Sequence, residues 1–174
     1  VNGWRASHGG DRVEIRRRLG YLPQDLGLYP RFTVFEFVDY LAILKELDDV
    51  ADRHRRVRAA LAAVELEDLA GRKIRTLSGG MRRRVGIAQA IVADPELLLL
   101  DEPTTGVDPV SRREFWKLLS EFLAQGITIL MSTPYLDEAE RCTRVALLHE
   151  GRLLYVRAGV VLFGELVRAI GGGP

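Results

Sequence analysis

Hydrophobic positions along this chain follow two alternating patterns. Short apolar runs of strand length stand at 19–22, 97–100, 127–132, 145–149 and 152–156. Between them, apolar residues recur every three or four positions, as on one side of a helix. The run Leu97-Leu98-Leu99-Leu100, ending in Asp101-Glu102-Pro103, predicts a buried parallel strand that delivers two carboxylates to the sheet's C-terminal edge. Thr33-x-x-Glu36 is a capping box, and it opens a helix with Val34, Phe37, Val38, Leu41 and Leu44 on one side. Further helices are predicted over about 51–64, 78–92, 109–123 and 135–141. Pro109 suits the first turn of one of them and Gly126 ends it. Glu150-Gly151 predicts a turn between the last two strands, and residues 1–18, polar and rich in arginine, a turn and a short helix. Strands alternating with helices imply an α/β fold on a parallel sheet.

Composition narrows the function classes. At 174 residues with 47% hydrophobic content, the chain is long enough for one domain with a core. Lys and Arg total 25 against 24 Asp and Glu, so no bulk charge recruits nucleic acid or a membrane surface. Only three of the basic residues are lysine, a bias attributed to a GC-rich genome. Cys142 is the single cysteine, which excludes an internal disulfide and fits a reducing compartment. His8, His54 and His149 lack metal-ligand spacing. No apolar run reaches the ~18 residues of a membrane span, and no signal peptide is expected. The tail Gly171-Gly172-Gly173-Pro174 is expected to be disordered.

The candidate chemistry sits at two places. Open α/β sheets bind ligands at their C-terminal edge, where Asp101 and Glu102 are expected. Ser78-Gly79-Gly80, opening a helix, offers amide N–H groups, a hydroxyl and the positive helix end to a phosphate. Each feature also has a bland reading. The acids can be a solvated pair, Ser78 and Asp108 ordinary N-caps, and Gln24 a surface loop residue. The run Arg82-Arg83-Arg84 reads as a solvated helix face. Tyr29, Phe32, Phe35, Phe37 and Tyr40 read as core rather than a binding box.

Taken together, Gln24, then residues 77–81 (Leu-Ser-Gly-Gly-Met), then residues 97–102, then Thr104-Thr105-Gly106-Val107-Asp108-Pro109 resemble the Q-loop, signature motif, Walker B strand and D-loop of an ABC transporter ATP-binding subunit. Order and spacing both match, across residues 1–156, and the multidrug or efflux branch looks most similar. The resemblance implies a P-loop NTPase-like parallel sheet, with a helical insert at about 33–92 carrying the signature motif. It implies ATP and Mg2+ as cofactors, Asp101 and Gln24 at the metal, and Glu102 as the catalytic base. Gln24, Ser78, Gly79, Gly80 and Asp108 become nucleotide contacts, the signature segment reaching nucleotide held by a second nucleotide-binding domain in a head-to-tail dimer. The other implied partner is a membrane-spanning permease, whose cytoplasmic helix some of the aromatics line a groove for, with the subunit peripheral on the cytoplasmic face and no nucleic acid. A soluble ABC ATPase acting on ribosomes or DNA is disfavoured by the near-neutral charge.

Four departures qualify this. Lys45, Lys73 and Lys117 follow Leu44, Arg72 and Trp116, so no Gly-Lys pair of a P-loop is present. The expected reading is a C-terminal piece of a larger domain, its N-terminal part absent, with an apolar gap where the P-loop strand would lie and low stability alone. Met81 stands where glutamine is commoner. Pro134 stands where the family usually has a histidine that arranges the attacking water, and a proline in the first turn of the next helix supplies neither N–H nor titratable group. The alternative is therefore a degenerate, non-catalytic module supplying only its signature motif to a P-loop-bearing partner. Residues 157–174 depart from the family pattern; residues 160–170 read as a short apolar helix or as the product of a frame change.

Overall fold

The computed structural model describes residues 8–158. The helix expected over 160–170 and the glycine-rich tail lie outside them. The chain divides into two compact units, one ending at Ser132 and one beginning at Thr133.

The first unit opens with α1 (Gly9–Arg18), which buries no side chain, and β1 (Leu19–Leu22). The Lys45 ammonium ties this junction down, donating to the carbonyls of Arg16 and Leu19 at 2.7 and 2.6 Å. The expected capping box starts α2 (Val34–Leu44): the Glu36 amide donates to Thr33 Oγ1 at 3.1 Å, and the Thr33 amide to Glu36 Oε2 at 2.6 Å. That network holds the Glu36 carboxyl below its ordinary value, the Thr33 main-chain amide contributing most. Val34, Phe37, Val38 and Ala42 of α2 are buried, whereas Leu44 is 60% exposed. The expected apolar stripe therefore fails at its last position, because the buried face includes Ala42, two residues earlier and so on the far side of the helix from Leu44. Asp49 caps α3 (Val50–Ala63), accepting from the Asp52 amide at 2.7 Å.

Next come α4 (Gly79–Ile91), β2 (Leu97–Asp101), α5 (Pro109–Ala124) and β3 (Thr128–Ser132). The three strands make a parallel sheet in the order β1-β2-β3, with Leu22 level with Leu100, and Leu100 with Met131. Helix α4 lies directly on β1. A Cβ on Gly20 would overlap the Ala90 carbonyl oxygen, and one on Gly86 would come within 2.7 Å of Leu22 Cδ1. Two missing side chains thus set that spacing. Leu22, Leu98 and Leu100 on this face join Val85, Ala88, Phe115, Leu119 and Phe122 in one core. On the opposite face Tyr21 is 48% and Leu130 62% exposed.

The second unit contains α6 (Leu136–Ala139), β4 (Arg144–His149) and β5 (Arg152–Ala158). Its strands form an antiparallel hairpin with a register shift at Leu147 and Leu148. The parallel arrangement therefore covers three of the expected strands, and the tight turn at Glu150-Gly151 makes the last two antiparallel. Helix α6 is shorter than the expected 135–141, with Tyr135 as its N-cap. Pro134 consequently precedes the N-cap instead of occupying the first turn. Thr133 explains the delay: its Oγ1 accepts from the Tyr135 amide at 3.1 Å and donates to Glu138 Oε2 at 2.7 Å. Among the described residues no helix is long and apolar enough to cross a membrane.

Candidate functional site

Parallel strands deliver their C-terminal ends to one edge, and register decides which residues meet there. Asp101, the last residue of β2, lies level with Ser132, the last of β3. Ser132 Oγ donates to Asp101 Oδ1 at 2.7 Å and accepts from the Glu102 amide at 3.0 Å. The same amide lies 3.2 Å from the Ser132 carbonyl. Glu102 itself turns into the left-handed region, with a φ of 41°. A glutamate held there stores strain of about 1 kcal/mol or more, a cost that recurs at functional sites. Its Oε2 accepts from Gln24 Nε2 at 3.0 Å and from Thr105 Oγ1 at 3.1 Å, while Oε1 takes neither bond. Gln24, 78 residues away from Glu102, thus forms one corner with Asp101 and Glu102. Ser132 and Thr105 belong to it and were not singled out from the sequence. Ser132 was findable, as the polar residue ending an apolar strand just as Asp101 does.

The phosphate-binding candidate lies at the start of α4. Ser78 is its N-cap, with Oγ accepting from the Met81 amide at 3.2 Å. A Cβ on Gly80 would sit 3.0 Å from Ser111 Oγ on α5, so that side chain would have to give by a few tenths of an ångström to admit one. Gly79 differs: nothing lies within 4 Å of where its Cβ would be. Neither crowding nor a positive φ within this chain calls for glycine at 79, which suits close approach by something outside it.

Asp108 is the N-cap of α5, its Oδ1 accepting from the Val110 and Ser111 amides at 3.0 Å each. Hydrogen bonding by Ser111, side chain first and then main chain, holds this carboxyl below its ordinary value. A cleft of about 580 Å³ is lined by Gln24, Ser78, Gly79, Gly80, Thr105 and Asp108 among others. Asp101 and Glu102 do not line it; Glu102 connects to it through Gln24 and Thr105.

Two expectations need correcting. Of the arginine run on α4, only Arg82 is exposed. Arg83 is 9% exposed, and burial pushes its guanidinium below the ordinary value, while Asp101 acts in the opposite direction. Arg84 is half-buried against the Val64 carbonyl and Glu114. A helix packed on both sides cannot present three consecutive residues to solvent, since they span most of its circumference. The aromatics divide as well. Phe37 is core, but Tyr29 and Tyr40 are 48% and 38% exposed and stack edge-on, 5.9 Å apart.

The chain has counterparts in sequence and in fold. The ABC transporter family model matches residues 3–105. Over 137 residues, 79% of this chain, it is 46% identical to a probable multidrug ABC transporter ATP-binding protein, YbhF, of Escherichia coli K12, covering 24% of that protein. It is 43% identical over 142 residues to Nod factor export ATP-binding protein I of Burkholderia lata, covering 45% of it. The chain therefore spans between about a quarter and under half the length of these curated relatives. Among solved structures, cbiO1 from Clostridium perfringens, part of the ABC transporter complex cbiONQ, superposes with a TM-score of 0.76 at 32% identity, over 86% of this chain and 60% of that one. A bacterial ABC transporter cassette solved as a dimer superposes with a TM-score of 0.74 at 26% identity, over 91% of this chain and 69% of its own. With the family model matched over residues 3–105, the chain belongs to the ABC transporter family, in its ATP-binding domain.

Proposed function

We propose that this chain is part of an ATP-binding subunit that couples Mg-ATP binding and hydrolysis to ABC-type export, working on the cytoplasmic face of a membrane beside a permease. Residues 1–156 are read as part of the nucleotide-binding domain, with the helical insert at about 33–92. The carrying observation is the corner where Asp101, Glu102, Gln24 and Ser132 hydrogen-bond at the C-terminal edge of a parallel sheet. The names of the multidrug and Nod factor export relatives support the export branch.

The donor set suits magnesium, which takes one or two protein oxygens and completes its shell with water and phosphate. Asp101 supplies a carboxylate, and Gln24, whose amide N–H is engaged by Glu102, can supply its amide oxygen. Bound there, the ion would neutralise charge on phosphate oxygens. Glu102 is oriented by two donors on Oε2, so Oε1 is the atom that accepts the proton of an attacking water. Ser78, Gly79 and Gly80 face nucleotide held by a partner domain, and Asp108 lies beside them. The exposed rings of Tyr29 and Tyr40 are the surface we assign to the permease.

A second reading is favoured by Pro134: a non-catalytic module that contributes only its signature face. Two assays separate them. In a version of the subunit completed with a P-loop, Glu102→Gln lowers ATP turnover by about 10²–10⁴ while ATP binding persists if Glu102 is the base, and unchanged turnover sinks that role. Mixed with a P-loop-bearing cassette, this chain as a signature donor raises turnover in a way that Ser78→Ala abolishes and Glu102→Gln leaves unchanged.

A further inference from the structure

Arg83 carries a role that the run of arginines conceals. It projects from α4, one turn beyond the Ser78 cap, and its side chain is buried. Its Nε donates to the Pro103 carbonyl at 2.6 Å. Nη1 lies 3.4 and 3.2 Å from the carbonyls of Pro23 and Gln24, and Nη2 lies 2.9 and 3.5 Å from those of Glu102 and Asp101. All five acceptors are main-chain oxygens, drawn from the loop after β1 and from the end of β2 with the turn that follows it. They are carbonyls of the segments that bear the candidate magnesium and base residues.

We propose that Arg83 is a positioning residue that makes the signature helix, the Gln24 loop and the Asp101–Glu102 turn move as one body. The physical argument is valence. A guanidinium has five N–H donors in a rigid planar fork, so it can gather carbonyls from two segments at once, which the ammonium of lysine does poorly. A buried cation hydrogen-bonded to carbonyl oxygens stays in place while those carbonyls stay turned toward it, and the nearby Asp101 charge favours it there. Any displacement of α4, such as engagement of Ser78 and Gly79 by a partner's nucleotide would cause, is therefore passed to the main chain at Gln24 and Glu102. The strained φ of Glu102 becomes intelligible, because Arg83 binds the carbonyl of that residue while Ser132 binds its amide. The role concerns the catalytic reading above but is tested without nucleotide.

The test is amide hydrogen exchange on the full chain, wild type against Arg83→Met and Arg83→Gln. Methionine keeps the length and apolar stem but removes every donor; glutamine restores an N–H pair. The amides of Gly27, Thr105 and Val107, which bond within the two segments, are the reporters. Arg83→Met should raise their exchange about tenfold and Arg83→Gln about threefold, with α2 and α3 unchanged. Unchanged reporters in both variants would overturn the proposal, and so would a rise spread evenly over α2 and α3, which marks general loosening. If Arg83→Met does not fold, Arg83→Gln alone decides by the same criterion. A chain that never hydrolyses ATP leaves this result intact, so the two readings fail separately.

Discussion

The two faces of the parallel sheet contain similar residues and meet different fates. On one, Leu22, Leu98 and Leu100 are at most 3% exposed, covered by α4 and joined to the core residues of α5. On the other, the same strands present Tyr21, Leu99 and Leu130, none of which joins that core. Four consecutive leucines have the composition of a strand covered on both faces, and the described residues cover one. The difference teaches that an apolar run states how much burial a strand can use, while neighbouring elements decide how much it receives.

The comparison can be attacked by substitution, with stability read from urea unfolding. Leu98→Ala should have the largest effect, about 3–5 kcal/mol, because it opens a cavity among α4, α5 and the sheet. A loss below about 1 kcal/mol would show that this face is loosely packed. Gly20→Ala comes next, at about 1–3 kcal/mol, since the added methyl drives into the Ala90 carbonyl, which is helix backbone and yields poorly. Leu130→Ser on the bare face should change stability by less than about 0.5 kcal/mol. A loss there on the scale of Leu98→Ala would mean that something covers Leu130 in solution.

Legibility followed range. The Thr33 capping box, the Ser78 and Asp108 caps and the strand ending at Asp101 were all readable, because each depends on residues within a few positions. For Ser78 and Asp108 the bland cap and the functional assignment coexist, since a side chain can cap a helix and still border a cleft. The arginine run was misread because charge predicts exposure only when no acceptors are at hand, and five carbonyls waited for Arg83. Pro134 was misplaced by two residues relative to its helix because the Thr133 hydroxyl reorganised the turn ahead of it.

By itself the sequence determined the strands and helices, their caps and the order of the family's motifs, all properties of spacing along one segment. Only the tertiary structure decided that Ser132 would hold Asp101 from 31 residues away, that Gln24 would reach Glu102 across 78, and that Arg83 would bind both segments from inside the core. The reason is physical. Hydrogen bonds between distant segments are chosen by strand register and helix packing, and neither is written in the local pattern of any one of them.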